Sequence, residues 1–499
     1  MAKLILDPVT RIEGHLRIDT HVENGQVLEA WSRGEMFRGL ESLLVGRNPL
    51  DAPAITQRIC GVCPVSHGIA ASRALEAAFG IAPPGNGRLL RNLILGANYL
   101  QNHILHFYQL SALDFIRVET LLDYRGKDRE LLDLQSWARG EMNSGRILPM
   151  APLLPQLPGR YSGTTEWNHL ALEHYLEALE IRREAHRMAA LFGGKMPHPA
   201  SLVPGGVTCG VELEAVETFR SGLRRVRRFV EEAYLPDVAR MVREFPEYSR
   251  QGAGVGRFMS FGAFEQGEGT WLPAGVLQDG KLSALDLGAI REEVGSSYYQ
   301  PGSGGAPQQG TVELAPEKQG AYSWIKAPRY NGEAMEVGPL ARLLVARAAG
   351  NDQVSEALTL MEHQTGLKPN MWDSVLGRHL ARAIEATLLV KEMEHWLAQL
   401  AYESPSVVHY QAPRSGSGIG LIEAPRGGLG HWLEVEDAKI VRYQCIVPST
   451  WNFSPRDDRG GVGPVEAALL GTTVNEGSRG LEVARVVRAF DPCIACAVH

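Results

Sequence analysis

Two Cys-x-x-Cys pairs stand near opposite ends of this chain: Cys60 and Cys63 within Arg58-Ile59-Cys60-Gly61-Val62-Cys63-Pro64-Val65-Ser66-His67, and Cys493 and Cys496 within Asp491-Pro492-Cys493-Ile494-Ala495-Cys496-Ala497-Val498-His499. Four of the six cysteines lie in these pairs. Thiolates favour soft or borderline metals such as nickel, iron and zinc, and four of them suffice for one centre. Other chemistries use the same residues. A zinc ribbon sets its two pairs about 15–20 residues apart, whereas here about 430 residues separate them. A thioredoxin-type motif needs a βαβ setting, which the helical flanks do not supply, and haem attachment needs Cys-x-x-Cys-His. A four-cysteine iron–sulfur cluster fits the count and stays open at this point. Chain ends usually fray, so a terminal segment carrying two ligands must be held by coordination or deep burial.

The elements that must bring the pairs together read as mainly α with an α+β periphery: a central bundle of long helices, small antiparallel sheets and a loop-rich lobe. Residues 4–32 read as strands around Asn24-Gly25, a tight-turn signal. Apolar residues at helical spacing from Leu89 to Tyr108 predict one long buried helix over Gly85–Ile116. Further helices are predicted over Thr165–Phe192, with Thr165 as N-cap and Gly193-Gly194 as the stop, over Val211–Phe245 with a break near Pro236, and over Ser374–Leu400. Residues 251–332, rich in Gly, Pro, Ser and Gln, predict the peripheral lobe, and a hairpin is expected from Trp432–Val435 and Ile440–Cys445. If the pairs share a metal they cannot sit in separate domains, so residues 1–499 are expected to form one interlocked unit.

A chain of 499 residues buries a large core. Its net charge of −7 argues against nucleic acid as a partner. No run of about 18 apolar residues predicts a membrane span, and the first residues, Met1-Ala2-Lys3-Leu4-Ile5, lack the pattern of a signal peptide.

The ordered motifs resemble the large, catalytic subunit of nickel–iron hydrogenases along essentially the whole chain. Besides the two cysteine motifs, the resemblance is carried by Asp7-Pro8-Val9-Thr10-Arg11-Ile12-Glu13-Gly14-His15, Phe37-Arg38-Gly39-Leu40-Glu41, His103-Ile104-Leu105-His106-Phe107-Tyr108, Lys326-Ala327-Pro328-Arg329-Tyr330 and Glu423-Ala424-Pro425-Arg426-Gly427. It implies reversible heterolytic cleavage of H2 to two protons and two electrons at a Ni–Fe centre whose iron carries carbon monoxide and two cyanides. Cys60 and Cys493 would be terminal nickel ligands, and Cys63 and Cys496 would bridge to iron. Cys493 would accept the proton, and Glu13 would pass it outward. As a lone residue, Glu13 would instead read as a surface carboxylate on an early strand. Arg426 would reach over the metals, with Pro425 and Asp491 completing that shell and Ser449 donating to a cyanide. His67 would hydrogen-bond the sulfur of Cys63; a buried core histidine is the plainer reading. Asn102 stands where members of the family vary. Glu41, the carbonyl of Cys445 and the imidazole of His499 would hold magnesium or iron. Cys209 reads as an ordinary small buried residue.

The resemblance also implies an iron–sulfur small subunit as partner, because this chain keeps no cysteine set for an electron relay. It further implies the periplasmic or membrane-associated uptake group, with export and membrane attachment supplied only through the partner, and a mature form trimmed after His499. A cytoplasmic location is the alternative. A non-catalytic metal-binding or scaffold subunit of a respiratory complex is the rival function; the metal-free quinone-reducing relatives lack the four cysteines.

Overall fold

Alternating apolar and polar residues after Leu16 pair Leu16–Glu23 with Gln26–Gly34 through Asn24-Gly25. Both turn residues have positive φ, 52° and 74°, the conformation a tight turn between right-twisted strands requires. Ala2–Leu6 adds the outer antiparallel strand. This is a computed structural model, and it describes residues 2–144, 153 and 156–499.

The long helices form the centre. Gly85–Leu105 is buried along most of its length and crosses Val375–Gln399. Gly96 permits the approach, since a Cβ there would meet the Met393 sulfur at 2.8 Å. The helical path continues past Leu105 as a π-helical turn, His106–Ser111, and a 3₁₀ turn, Ala112–Asp114. Thr165–Gly193 packs alongside, and it differs from expectation at its start: Thr164 occupies the cap position and makes no side-chain cap bond. The predicted break near Pro236 is a π-helical turn over Val230–Tyr234 that joins Leu213–Phe229 to Leu235–Glu244. Pro236 lies just past that turn and, having no N–H, cannot bond back to a carbonyl within it. Ser374 caps Val375–Gln399 by accepting from Gly377 N at 3.1 Å.

The predicted C-terminal hairpin gains a third strand: Gly416–Ala424, Gly427–Glu436 and Lys439–Ile446 form an antiparallel sheet. Its added strand lies on the helix Pro64–Phe79. Gly416, Gly418 and Gly420 share one face of the strand, and Cβ atoms there would come within 2.5, 2.0 and 2.0 Å of the carbonyl oxygens of Ala78, Ala74 and Ala70. Those alanines recur every fourth residue on one helix face. Glycine on one side and alanine on the other let backbone rest on backbone. This contact fixes the helix start, just after Cys63, relative to the strand end, just before Pro425 and Arg426.

The 251–332 lobe is less peripheral than expected. Its first strands, Arg257–Gln266 and Gly269–Gln278, pair with each other and pack between Pro339–Ala348 and the C-terminal sheet, and Arg257–Gln266 is mostly buried. The remainder is largely loops. Among the described residues, no helix is long and apolar enough to cross a membrane.

Candidate metal centre

Cys60 follows a 3₁₀ turn, Gln57–Ile59, and Cys63 immediately precedes Pro64 at the start of its helix. From the other end of the chain, the helix Leu481–Ala489 leads into Asp491, whose φ of 57° turns the backbone toward the same spot. Cys493 precedes a short terminal helix, Ile494–Ala497. The four sulfurs converge. Cys60 Sγ is 3.4 Å from Cys493 Sγ, Cys63 Sγ is 3.5 Å from Cys496 Sγ, and Cys493 and Cys496 are 2.9 Å apart. All four lie within 4.8 Å of one another, and all four residues are buried.

The last residues are stitched to the N-terminal segment. Ile494 N donates to Glu13 O at 2.7 Å and Glu13 N donates to Pro492 O at 3.3 Å, so the backbone of Glu13 flanks Cys493. Arg38 N and Leu40 N donate to the carbonyls of Val498 and His499, both at 3.0 Å. The Arg38 guanidinium donates to the carbonyls of Arg58 and Ile59 on one motif and of Ala495 on the other. One side chain therefore ties both cysteine loops together.

A small cavity adjoins the sulfurs, lined by Cys63, His67, Arg426, Ser449, Cys493 and Cys496 among others. Arg426 Nε lies 3.1 Å from both the carbonyl and a carboxylate oxygen of Asp491, while its buried Nη1 has no hydrogen-bond partner among the described residues. Burial alone would push Asp491 up, but the charge of Arg426, helped by His106, Arg382 and a 2.9 Å bond from Asn102 Nδ2, holds it down at about 2. Ser449 Oγ accepts from Cys493 N at 2.9 Å. Pro425 contributes its carbonyl to Arg342 at 3.0 Å. His67 stands in the cavity wall, but its Nδ1 pairs with His431 Nε2 at 3.2 Å rather than with the Cys63 sulfur; burial drives His67 down to about 4. Glu13 is raised, first by burial and then by the charge of Cys60.

Thiols this close cannot all ionise in a buried site unless a cation compensates them. Hydrogen bonds from the neighbouring thiols favour ionised Cys60, whereas burial drives Cys493 and Cys496 up. Four facing sulfurs and a buried guanidinium nitrogen aimed at no protein partner fit a thiolate-bound metal centre carrying anionic ligands.

A second group lies beneath it. Glu41, Cys445 and His499 are buried with potential ligand atoms within 4.8 Å of one another. Glu41 Oε1 accepts from Cys445 N at 2.7 Å and lies 3.2 Å from His499 Nε2. The Cys445 sulfur lies within 4.8 Å of the other two ligand atoms, and its backbone N–H already anchors Glu41.

Arg342 and Glu385 carry no recognisable motif, yet they hold the Arg426 loop. Arg342 binds both Glu385 oxygens, at 2.6 and 2.7 Å, and donates to the carbonyls of Ala424 and Pro425, each at 3.0 Å.

The fold and the site together define a buried four-thiol metal site assembled from both chain ends. Residues 38–499 match the family model described as nickel-dependent hydrogenase, and residues 3–32 match one described as HoxL-like. The chain is 38% identical to the periplasmic [NiFeSe] hydrogenase large subunit of Desulfomicrobium baculatum, over 100% of this chain and 95% of that protein. It is 36% identical to the hydrogenase-2 large chain of Escherichia coli, over 100% and 97%. The solved Ni-Fe-Se hydrogenase from D. vulgaris Hildenborough in the reduced state superposes with a TM-score of 0.88 at 40% identity, covering 100% of both chains. The chain belongs to the nickel-dependent hydrogenase family, as a large subunit that oxidises H2 and works with a small subunit.

Proposed function

We propose that Cys60, Cys63, Cys493 and Cys496 would together hold a nickel–iron centre whose iron would carry one carbon monoxide and two cyanides, Cys60 and Cys493 serving nickel alone and Cys63 and Cys496 serving both metals. The observation that carries this reading is the convergence of four sulfurs from opposite chain ends within 4.8 Å. When bound, the centre supplies the polarisation that splits H2 heterolytically and takes up its two electrons.

The protein supplies the rest. Cys493 Sγ accepts the proton released from H2. Glu13, whose backbone brackets Cys493 and whose carboxyl pKa is raised by burial and by the charge of Cys60, receives it and passes it outward. Arg426 Nη1 donates toward an anionic ligand and polarises incoming H2, and Asp491 fixes its direction. Ser449, whose oxygen accepts from Cys493 N, would keep its hydroxyl proton free to donate to a cyanide of the centre. His67 donates toward the Cys63 sulfur and tunes the bridge. The surrounding buried residues exclude water, which strengthens each of these interactions.

Glu41 and His499, with Cys445, hold a second ion, magnesium or iron, which pins the terminus under the centre. The small subunit carries iron–sulfur clusters, because outside the two groups this chain retains only Cys209. It brings this chain to the periplasm or the membrane surface through its own export signal. Residues 1–499 act as one unit; an apolar cluster running from Val9 to Val498 supports this. Infrared spectra of the purified heterodimer test the assignment: one carbonyl and two cyanide bands are expected. A purified large subunit holding zinc alone and showing no such bands would instead indicate a structural site.

A further inference from the structure

One ring nitrogen of His67 is engaged by a second histidine, while the residue itself lines the cavity beside the sulfurs. Nδ1 lies 3.2 Å from Nε2 of His431, on the central strand of the C-terminal sheet. His431 Nδ1 lies 2.7 Å from the hydroxyl of Tyr443, on the adjoining strand. Tyr443 is paired with Leu433 across the sheet, so it is the diagonal neighbour of His431 on the same face. All three side chains are buried, with His431 0% and Tyr443 1% exposed. Neither His431 nor Tyr443 lines the cavity beside the sulfurs, whereas His67 does.

The order of donors along this chain is settled by counting protons. Among the described residues, the Tyr443 hydroxyl has no hydrogen-bond partner besides His431. A buried phenol with a single partner must donate to it, since an unpaired buried O–H costs about 1–3 kcal/mol. Tyr443 therefore fills His431 Nδ1 as an acceptor and leaves the imidazole proton on Nε2. That proton lies between the two rings and is donated to His67 Nδ1. The proton of His67 then sits on Nε2, the nitrogen left for the cavity. In the reverse order His67 would present a lone pair to the sulfurs, acceptor against acceptor, and the phenol proton would have no partner.

We propose that His431 and Tyr443 are positioning residues that hold His67 as the Nε2–H tautomer, so that a hydrogen-bond donor faces the sulfur of Cys63. The proposal rests on the reading of the four cysteines as ligands of a metal centre. It adds two residues, from strands far along the sequence from the cysteine motifs, that touch neither sulfur nor substrate and act only through the direction of two hydrogen bonds.

Two experiments on the assembled heterodimer test it. Neutron diffraction should find protons on Nε2 of both His431 and His67 and on the Tyr443 oxygen, with Nδ1 of each ring bare; a proton on either Nδ1 overturns the proposal. In the second, Tyr443→Phe should leave metal content unchanged and shift the infrared carbonyl stretch to lower frequency. Without its donor, His431 is free to move its proton to Nδ1 and turn His67 round, and a sulfur that loses a hydrogen bond donates more charge to the metals. His67→Ala serves as the reference and should shift the band the same way. If His67→Ala moves the band and Tyr443→Phe does not, the relay is refuted while the role of His67 stands. If the wild type shows no carbonyl band, the metal reading fails and the neutron result alone decides the tautomer.

Discussion

Gly14 lies so close to Ala495 that a Cβ on it would sit 2.4 Å from the Ala495 nitrogen, and its φ of +84° belongs to the region that side chains avoid. This contact is the reason Glu13 can stand beside Cys493 at all. Gly14→Ala must push the early strand away from the terminal helix, on top of about 1–2 kcal/mol of backbone strain. We expect loss of H2 turnover on the order of 10²-fold, since displacements near 1 Å cost that much. Turnover assays normalised to nickel content check it, and wild-type activity would mean that the approach is not needed.

Glu13→Gln keeps the shape of the side chain and removes its acid–base function. Its backbone bonds to Pro492 and Ile494 do not depend on the side chain, so nickel and iron content should be retained. Hydrogen–deuterium exchange catalysed by the enzyme should fall by about 10²-fold or more. Unimpaired exchange in a metal-replete variant would refute the proton role.

Arg426→Lys preserves the charge but loses the planar fork. The Nε of Arg426 holds Asp491 while Nη1 is left over for the cavity; an ammonium reaching for the same carboxylate cannot do both. H2 oxidation should drop by about 10²-fold with metal content preserved. Equal rates for arginine and lysine would show that a simple positive charge is enough.

The readable part of this protein was what short stretches encode alone. Cys60, Cys63, Cys493 and Cys496 announce themselves by type and spacing, and Asn24-Gly25 marks its turn because both residues tolerate positive φ. The long helices show in their apolar period. Contacts between distant segments left far less trace. Gly416, Gly418 and Gly420 look like a flexible loop until Ala70, Ala74 and Ala78, some 340 residues earlier, are laid against them. Arg342 and Glu385 belong to no motif, although they are buried and paired with each other. His67 was expected against a sulfur, and only the fold reveals His431 behind it. The break assigned to Pro236 lies a few residues earlier because the N–H that proline lacks would have bonded to a carbonyl of the turn before it.

Glu466 offers a test of stability separate from catalysis. It is fully buried in the Pro464–Leu469 helix, against the strand Gln26–Gly34. One carboxylate oxygen accepts from Ser32 N at 3.0 Å and from the Tyr322 hydroxyl at 2.7 Å, and Gly463 N–H and the charge of Arg456 also favour the ionised form. Burial outweighs these bonds and raises its pKa from 4.5 to about 7. A carboxyl raised in the folded state is protonated there at pH values where the unfolded chain has already lost the proton. Its contribution is therefore fully present below pH 4.5 and is lost as pH rises through about 7. By pH 8 the loss amounts to about 3 kcal/mol. Glu466→Gln cannot titrate, so it should melt higher than the wild type at pH 8, and its melting temperature should fall less between pH 5 and pH 8. Thermal melts of the assembled heterodimer across that range check this, and parallel curves for the two proteins would show that Glu466 is already ionised in the fold.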